Sequence, residues 1–266
     1  MTTYVIGDIH GYFDKLVSLL INQGLIANDL SWTGEDSTLC FLGDYFDRGP
    51  KGVEVVDLMM RLQVEASMAG GKLIALPGNH EAFFLAALRF GDQRDSYTRT
   101  TFRTQWAWNG GNPDELHRIE KHHIHWLCNL PAMVRLGDYL LVHADSGFYL
   151  KYGDSIDSVN SAMRAVFCGR NIGGEMSMLI DGFCRRGHFT ERPAGGVQRA
   201  RYFLRIYGGK QIVHGHTPIA YVTGIDPDQV TKPLIYANGL AINLDHGLYQ
   251  GGNGFIYQLP DTPQVK

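Results

Sequence analysis

Gly43-Asp44-Tyr45-Phe46-Asp47-Arg48-Gly49 decides how this chain is read. It follows the apolar run Thr38-Leu39-Cys40-Phe41-Leu42, whose pattern predicts a buried strand. Two acids three positions apart at the end of a strand suit a hard cation held through oxygen. Arg48 beside them carries the planar fork that clamps a phosphoryl or carboxylate group. Glycine at both ends lets the backbone turn sharply and a ligand come close.

The same arrangement recurs on either side. Thr3-Tyr4-Val5-Ile6 predicts a strand ending at Gly7-Asp8-Ile9-His10-Gly11, and Lys72-Leu73-Ile74-Ala75-Leu76 one ending at Pro77-Gly78-Asn79-His80-Glu81. Phe13, Leu16, Val17 and Leu20 fall at helical spacing after the first. Val53, Val56, Met60 and Val64 mark the apolar face of a second helix, starting near Pro50-Lys51 and closed by Gly70-Gly71. A third runs through Phe84, Leu85 and Leu88. Strand and helix in alternation predict an α/β fold with a parallel sheet flanked by helices. Such sheets bind ligands at the carboxyl ends of their strands. Three successive strands deliver Asp8/His10, Asp44/Asp47/Arg48 and Asn79/His80 there.

Beyond Gly91 the chain turns polar. Residues 91–130, with Trp106, Trp108 and Trp126, predict a helical excursion broken at Gly110-Gly111. Its patch of His117, His122, His123 and His125 reads as a solvated helix end or cleft rim, because no carboxylate or Cys joins it at ligand spacing. A hairpin around Gly137-Asp138 ends at His143-Ala144-Asp145. Residues 155–189 predict a second helical excursion, closing with Cys184-Arg185-Arg186-Gly187. Gln211-Ile212-Val213 leads into His214-Gly215-His216-Thr217-Pro218, and short strands follow at 234–236, 240–244 and 254–257. No linker interrupts the pattern, so residues 1–266 are expected to form one domain.

Composition narrows the class. The 266 residues are 44% hydrophobic and 19% charged, as in ordinary globular enzymes. A net charge of -3 argues against a nucleic-acid binder with a basic surface. Cys40, Cys128, Cys168 and Cys184 form no Cys-x-x-Cys pair and suit small buried thiols in a reduced cytoplasm. No apolar run approaches the ~18 residues of a membrane span. No basic leader precedes the first strand. A cytoplasmic protein with no membrane partner is expected.

The strand-end groups are Asp8, His10, Asp44, Asn79, His143, His214 and His216. Oxygen and imidazole donors without thiolate suit Mn, Fe, Zn or Ni better than Ca or Mg. They are too many for one ion. Two ions bridged by a carboxylate use them, and Asp44, on the central of the three strands, is the natural bridge. Such a pair activates a bridging water and stabilises in-line displacement at phosphorus.

These signatures resemble those of the calcineurin-like metallophosphoesterases. The Asp-Arg-Gly and Asn-His-Glu versions are similar to the branch holding bacterial-type serine/threonine protein phosphatases and symmetrical diadenosine tetraphosphatases. His143-Ala144 and Gly215-His216-Thr217-Pro218 resemble the two later metal motifs. The resemblance implies a central β-sandwich flanked by helices in four layers, with helical excursions near the active site. It implies a first ion held by Asp8, His10 and Asp44 and a second by Asp44, Asn79, His143 and His216, with His214 outside the shell. Two divalent ions follow, manganese first, with iron, zinc or nickel as alternatives. His80 is implied as proton donor to the leaving oxygen, oriented by Asp47. Arg48 is implied to hold phosphate oxygens, together with Arg186 or its neighbour Arg185.

Asp145 departs from the family by replacing the usual glycine. The implied activity is hydrolysis of phosphomonoesters, phosphoserine or phosphothreonine in proteins foremost, by a metal-bridging hydroxide. Dinucleoside polyphosphates or other nucleotides are the alternative, so the partner is a phosphorylated protein or a small phosphoester. Trp106-Ala107-Trp108-Asn109-Gly110-Gly111 resembles a segment of bacterial members, nucleotide hydrolases included; its tryptophans stack on a base or pack a small core. Gly7, Gly43 and Gly78 are expected where a side chain crowds the metal pair. Glu81 is expected at the positive end of a helix dipole.

Overall fold

In the computed structural model, residues 2–169, 173–192, 194–263 and 265 are described. The chain opens with β1 (Thr3–Ile6), α1 (Phe13–Asn22), β2 (Thr38–Phe41), α2 (Gly52–Met68), β3 (Lys72–Ala75) and α3 (Asn79–Phe90). Strands β1, β2 and β3 pair in parallel, as expected, and β9 (Tyr257–Gln258) adds an antiparallel edge beside β1. The first excursion folds as α4 (Phe102–Trp108), α5 (Pro113–Arg118) and α6 (Lys121–Cys128). The hairpin β4 (Met133–Leu136) and β5 (Tyr139–Val142) begins a second sheet. The second excursion supplies α7 (Ile156–Cys168) and α8 (Gly173–Cys184); its residues 170–172 lie outside the described ones. Then come α9 (Gly196–Tyr207), β6 (Gln211–His214), α10 (Ile219–Thr223), β7 (Leu234–Tyr236) and β8 (Ala241–Asn243). The second sheet runs β4-β5-β6-β8-β7, parallel at its centre and antiparallel at both edges.

Alternation along the strands explains how the sheets stack. Successive side chains of a strand point to opposite faces. Val5, Cys40, Leu42, Ile74 and Leu76 of the first sheet pack with Tyr139, Leu141, Val213, Ile242 and Leu244 of the second, making a dry layer between them. Their alternates Ile6, Leu39, Phe41, Leu73, Leu140 and Ile212 face outward into the larger core shared with the helices. The result is two sheets face to face with helices outside each. Because the central strands are parallel, their carboxyl ends open on one rim in each sheet.

Three local expectations are corrected. Val64 is 60% exposed. The buried stripe of α2 runs through Val55, Met59, Leu62 and Ala66, with spacings of four, three and four. Helix α9 was not foreseen, although Ala200, Phe203, Leu204 and Tyr207 bury one face of it. The last strand is two residues long and sits later than 254–257. All four cysteines are free; Cys40 and Cys128 are buried, but Cys168 is exposed.

Candidate metal centre

Five strand ends, those of β1, β2, β3, β5 and β6, converge at that rim. Asp8, His10, Asp44, Asn79, His143 and His216 are all buried there, at most 4% exposed. Asp44 stands between two groups of potential ligands. On one side are His10 and His80, on the other His143 and His216, and within each group the candidate atoms lie within 4.8 Å of one another. Asp44 Oδ2 is 3.7 Å from His10 Nε2, and Oδ1 is 3.5 Å from His143 Nε2. Asn79 Oδ1 lies 3.0 Å from His143 Nε2 and 2.9 Å from His216 Nδ1. Asp8 stands beside these groups, its two oxygens accepting the His216 backbone N–H at 3.0 and 3.1 Å.

The backbone fixes which imidazole nitrogens face inward. His143 Nδ1 donates to the Leu42 carbonyl at 2.8 Å and His10 Nδ1 to that of Phe46 at 3.1 Å. The His143 Nε2 lone pair therefore meets the Asn79 and Asp44 oxygens acceptor against acceptor, and that of His10 faces Asp44 Oδ2 and the Arg48 guanidinium. His216 Nε2 is buried without a hydrogen-bond partner. Burial, and then the nearby charges of Asp245 and Asp44, push Asp8 well above the usual carboxylate range. Burial and the Glu81 charge do the same to Asp44. Burial holds His143 down to about 3 and depresses His10 and His216 as well. Converging lone pairs, crowded carboxylates and unprotonated imidazoles form an environment that a cation stabilises. These residues fit a pair of divalent ions.

Much of the loop is held in an uncommon backbone. His10, Asp44, Asp47, Arg48 and His216 all have φ between 51° and 69°. Non-glycine residues adopt this region at a cost and keep it where the surroundings over-determine them. Glu81 provides part of that hold. Its carboxylate accepts the backbone N–H groups of Asp44, Tyr45 and Gly78 at 2.7–2.8 Å. It thus clamps the loop as well as starting α3.

His80 Nδ1 donates to Asp47 Oδ2 at 2.7 Å, and Trp106 Nε1–H donates to Asp47 Oδ1, also at 2.7 Å. Trp106 is therefore a buried partner of Asp47, and the base-stacking alternative does not hold for it; Trp108 is 72% exposed. Gly110 O accepts the Arg48 backbone N–H at 2.8 Å, so the Asn-Gly-Gly turn also braces the loop. Arg48 places one guanidinium nitrogen 3.3 Å from His10 Nε2 and another 3.2 Å from His80 Nε2. Its plane covers the Tyr249 ring at 3.9 Å.

Arg185 turns away to Asp181, at 2.9 Å. Arg186 lies close enough to His80, His143 and His216 to oppose their protonation. Asp145, the departure from the family pattern, anchors this loop: its carboxylate accepts the Gly187 N–H at 2.8 Å and the Thr217 hydroxyl at 3.1 Å. His214 bonds the Gly215 carbonyl and the Tyr236 hydroxyl and joins neither ligand group. In the histidine patch, His123 Nδ1 accepts the Glu120 N–H, so Nε2 carries the proton that goes to Asp57 at 2.7 Å. A carboxylate thus does join the patch, contrary to expectation, because α2 brings Asp57 to His122 and His123 with candidate ligand atoms within 4.8 Å of one another, and the His123 bond ties α6 to α2.

Glu81, Trp106, Asp145 and Tyr249 thus serve the site without a signal of ligand type or spacing. Glu81 stood inside the Asn-His-Glu motif and Asp145 was marked by its departure from the family glycine, but neither signalled the backbone groups it holds, and Tyr249 had no signal. Of the expected glycines, Gly43 and Gly78 fit: a Cβ on Gly78 falls 2.1 Å from Asp44 Oδ1 and 2.7 Å from His143 Cε1. Gly7 serves a different purpose, since its Cβ meets the Leu244 carbonyl of the facing sheet at 2.3 Å.

Fold and site together define a metal-dependent phosphoesterase. Residues 1–241 match the family model described as calcineurin-like phosphoesterase, and the chain belongs to that family of hydrolases. It is 26% identical over 266 residues to the asymmetrical bis(5'-nucleosyl)-tetraphosphatase PrpE of Anoxybacillus flavithermus, covering 98% of this chain and 91% of that one. It is 37% identical over 76 residues to Shewanella-like protein phosphatase 2 of Arabidopsis thaliana, covering 29% and 19%. The cold-active protein-tyrosine phosphatase of a psychrophilic Shewanella has the same fold, with TM-score 0.74 at 22% identity, over 98% of this chain and 75% of that one.

Proposed function

We propose that the chain hydrolyses phosphoesters at a binuclear centre held by Asp8, His10, Asp44, Asn79, His143 and His216. The position of Asp44 between the two imidazole groups carries this reading. When bound, two divalent ions, manganese foremost, supply an activated water and Lewis-acid stabilisation at phosphorus. Arg48 and Arg186 orient the phosphate from outside the ligand groups. An entering phosphate draws the Arg48 guanidinium to its own oxygens and leaves His80 Nε2 facing the departing oxygen. The anionic substrate raises the proton affinity of His80, and Asp47 holds the ring by its other nitrogen.

Two substrate classes share this chemistry. The tetraphosphatase relative runs along nearly the whole chain, excursions included, which supports dinucleoside polyphosphates. The phosphoserine or phosphothreonine reading is second. It is favoured by the higher identity to a protein phosphatase over a shorter stretch. Free cysteines support a reducing, cytoplasmic setting.

The test is steady-state turnover with manganese of 4-nitrophenyl phosphate, a phosphoserine peptide and diadenosine tetraphosphate. Activity that chelation abolishes is expected, with the tetraphosphate preferred. No turnover of any of the three with any divalent ion sinks the proposal.

A further inference from the structure

A recess of about 530 Å³ adjoins the metal centre, with Arg186 shared between them. That size suits a small-molecule group. Its wall carries Lys151, Arg185, Arg186, His188 and Arg199, and no carboxylate is among the residues that line it. In a chain of net charge -3 the four Lys and Arg side chains make a local concentration of positive charge, while burial and the Arg199 charge lower the pKa of His188.

The cations are not equivalent. Arg199 donates to the carbonyls of His188, Ala194 and Thr190, which fixes the loop beside the recess. Arg185 is steered by Asp181. Lys151 ends the short 3-10 turn Gly147–Lys151 and is exposed, with no hydrogen bond or ion pair among the described residues. Asp145 holds the backbone of Gly187 and so the posture of the Arg186 loop. A preset electropositive pocket with an unspent ammonium group is built for anionic oxygen.

We propose that the recess is a second anion subsite, seating the phosphates that continue beyond the one attacked. This rests on the phosphoesterase reading above and names its substrate class as organic polyphosphates. Water adds to the phosphorus at the centre, and the bridging P–O bond of the anhydride breaks. The bond's electron pair stays on the departing phosphate oxygen, which takes a proton from His80; the attacking water gives up a proton to solvent, from which His80 is reprotonated.

The test uses the manganese-loaded enzyme and its Lys151→Gln and Lys151→Glu variants. For diadenosine tetraphosphate, kcat/KM is expected to fall about tenfold in Lys151→Gln, the scale of one charged hydrogen bond, and further in Lys151→Glu. Turnover of 4-nitrophenyl phosphate should stay at the parent value. Calorimetric binding of β,γ-methylene-ATP should weaken by the same factor, which reads the subsite even without turnover. An equal change on all substrates, no change on the tetraphosphate and the analogue, or a loss confined to a phosphoserine peptide overturns the subsite. No turnover of 4-nitrophenyl phosphate, a phosphoserine peptide or diadenosine tetraphosphate by the parent enzyme strikes the phosphoesterase reading instead.

Discussion

Trp106 and His80 grip the two oxygens of one carboxylate. Asp47 receives the indole N–H on Oδ1 and the imidazole on Oδ2, each at 2.7 Å, in a site from which water is excluded. Burial alone drives this carboxyl upward, and the Trp106 hydrogen bond opposes that shift. The first helical excursion therefore reaches the chemistry through Asp47.

Trp106→Phe keeps a ring in the core and removes the donor. It should lower kcat about tenfold on alkyl phosphates, the worth of one hydrogen bond to a charged group, and much less on aryl phosphates with good leaving groups. Rates plotted against leaving-group pKa would show a steeper slope than for the parent. An unchanged slope would mean that Trp106 is only packing.

Gly78→Ala tests the crowding at the bridge. The added Cβ would fall on Asp44 Oδ1 and beside His143, both fully buried and neither free to retreat. Metal affinity should drop by ~10–100-fold, the range seen when the surroundings of metal ligands are disturbed. Metal content after dialysis against graded chelator measures it, and a variant that retains two ions like the parent refutes the placement of Asp44.

Glu115 of α5 accepts the Gly52 backbone N–H with one oxygen, while its other oxygen is buried without a partner. Burial raises its carboxyl to about 7. The folded state then holds the proton more tightly than the unfolded state, so stability from this group is full below about pH 4.5 and is lost as pH rises to 7. Glu115→Gln removes that slope. Thermal midpoints of parent and variant should diverge in the variant's favour between pH 5 and 7 and run parallel above; a constant offset across the range would refute the assignment.

Much of the site was legible because its chemistry is written in short motifs. Asp8-Ile9-His10, Asp44 with Asp47-Arg48, Asn79-His80 and His216 each follow a strand whose apolar run marks it as buried. Residue type and register thus determined which groups arrive at the rim, before any contact was known.

Contacts between distant segments were decided by the tertiary structure alone. Trp106 lies 59 residues from Asp47, and Asp145 lies 42 residues from the Gly187 that it anchors. Glu81 looked like a helix-start acid until the fold carried the Asp44 backbone onto its carboxylate. Hydrogen bonds are directional and short-ranged, so a pairing exists only once packing has brought both groups within about 3 Å. Periodicity records which face a residue turns inward. It does not record what that face will meet, and for Gly43-Asp44-Tyr45-Phe46-Asp47-Arg48-Gly49 what it meets is what holds Asp47, Arg48 and the backbone of Asp44 in place.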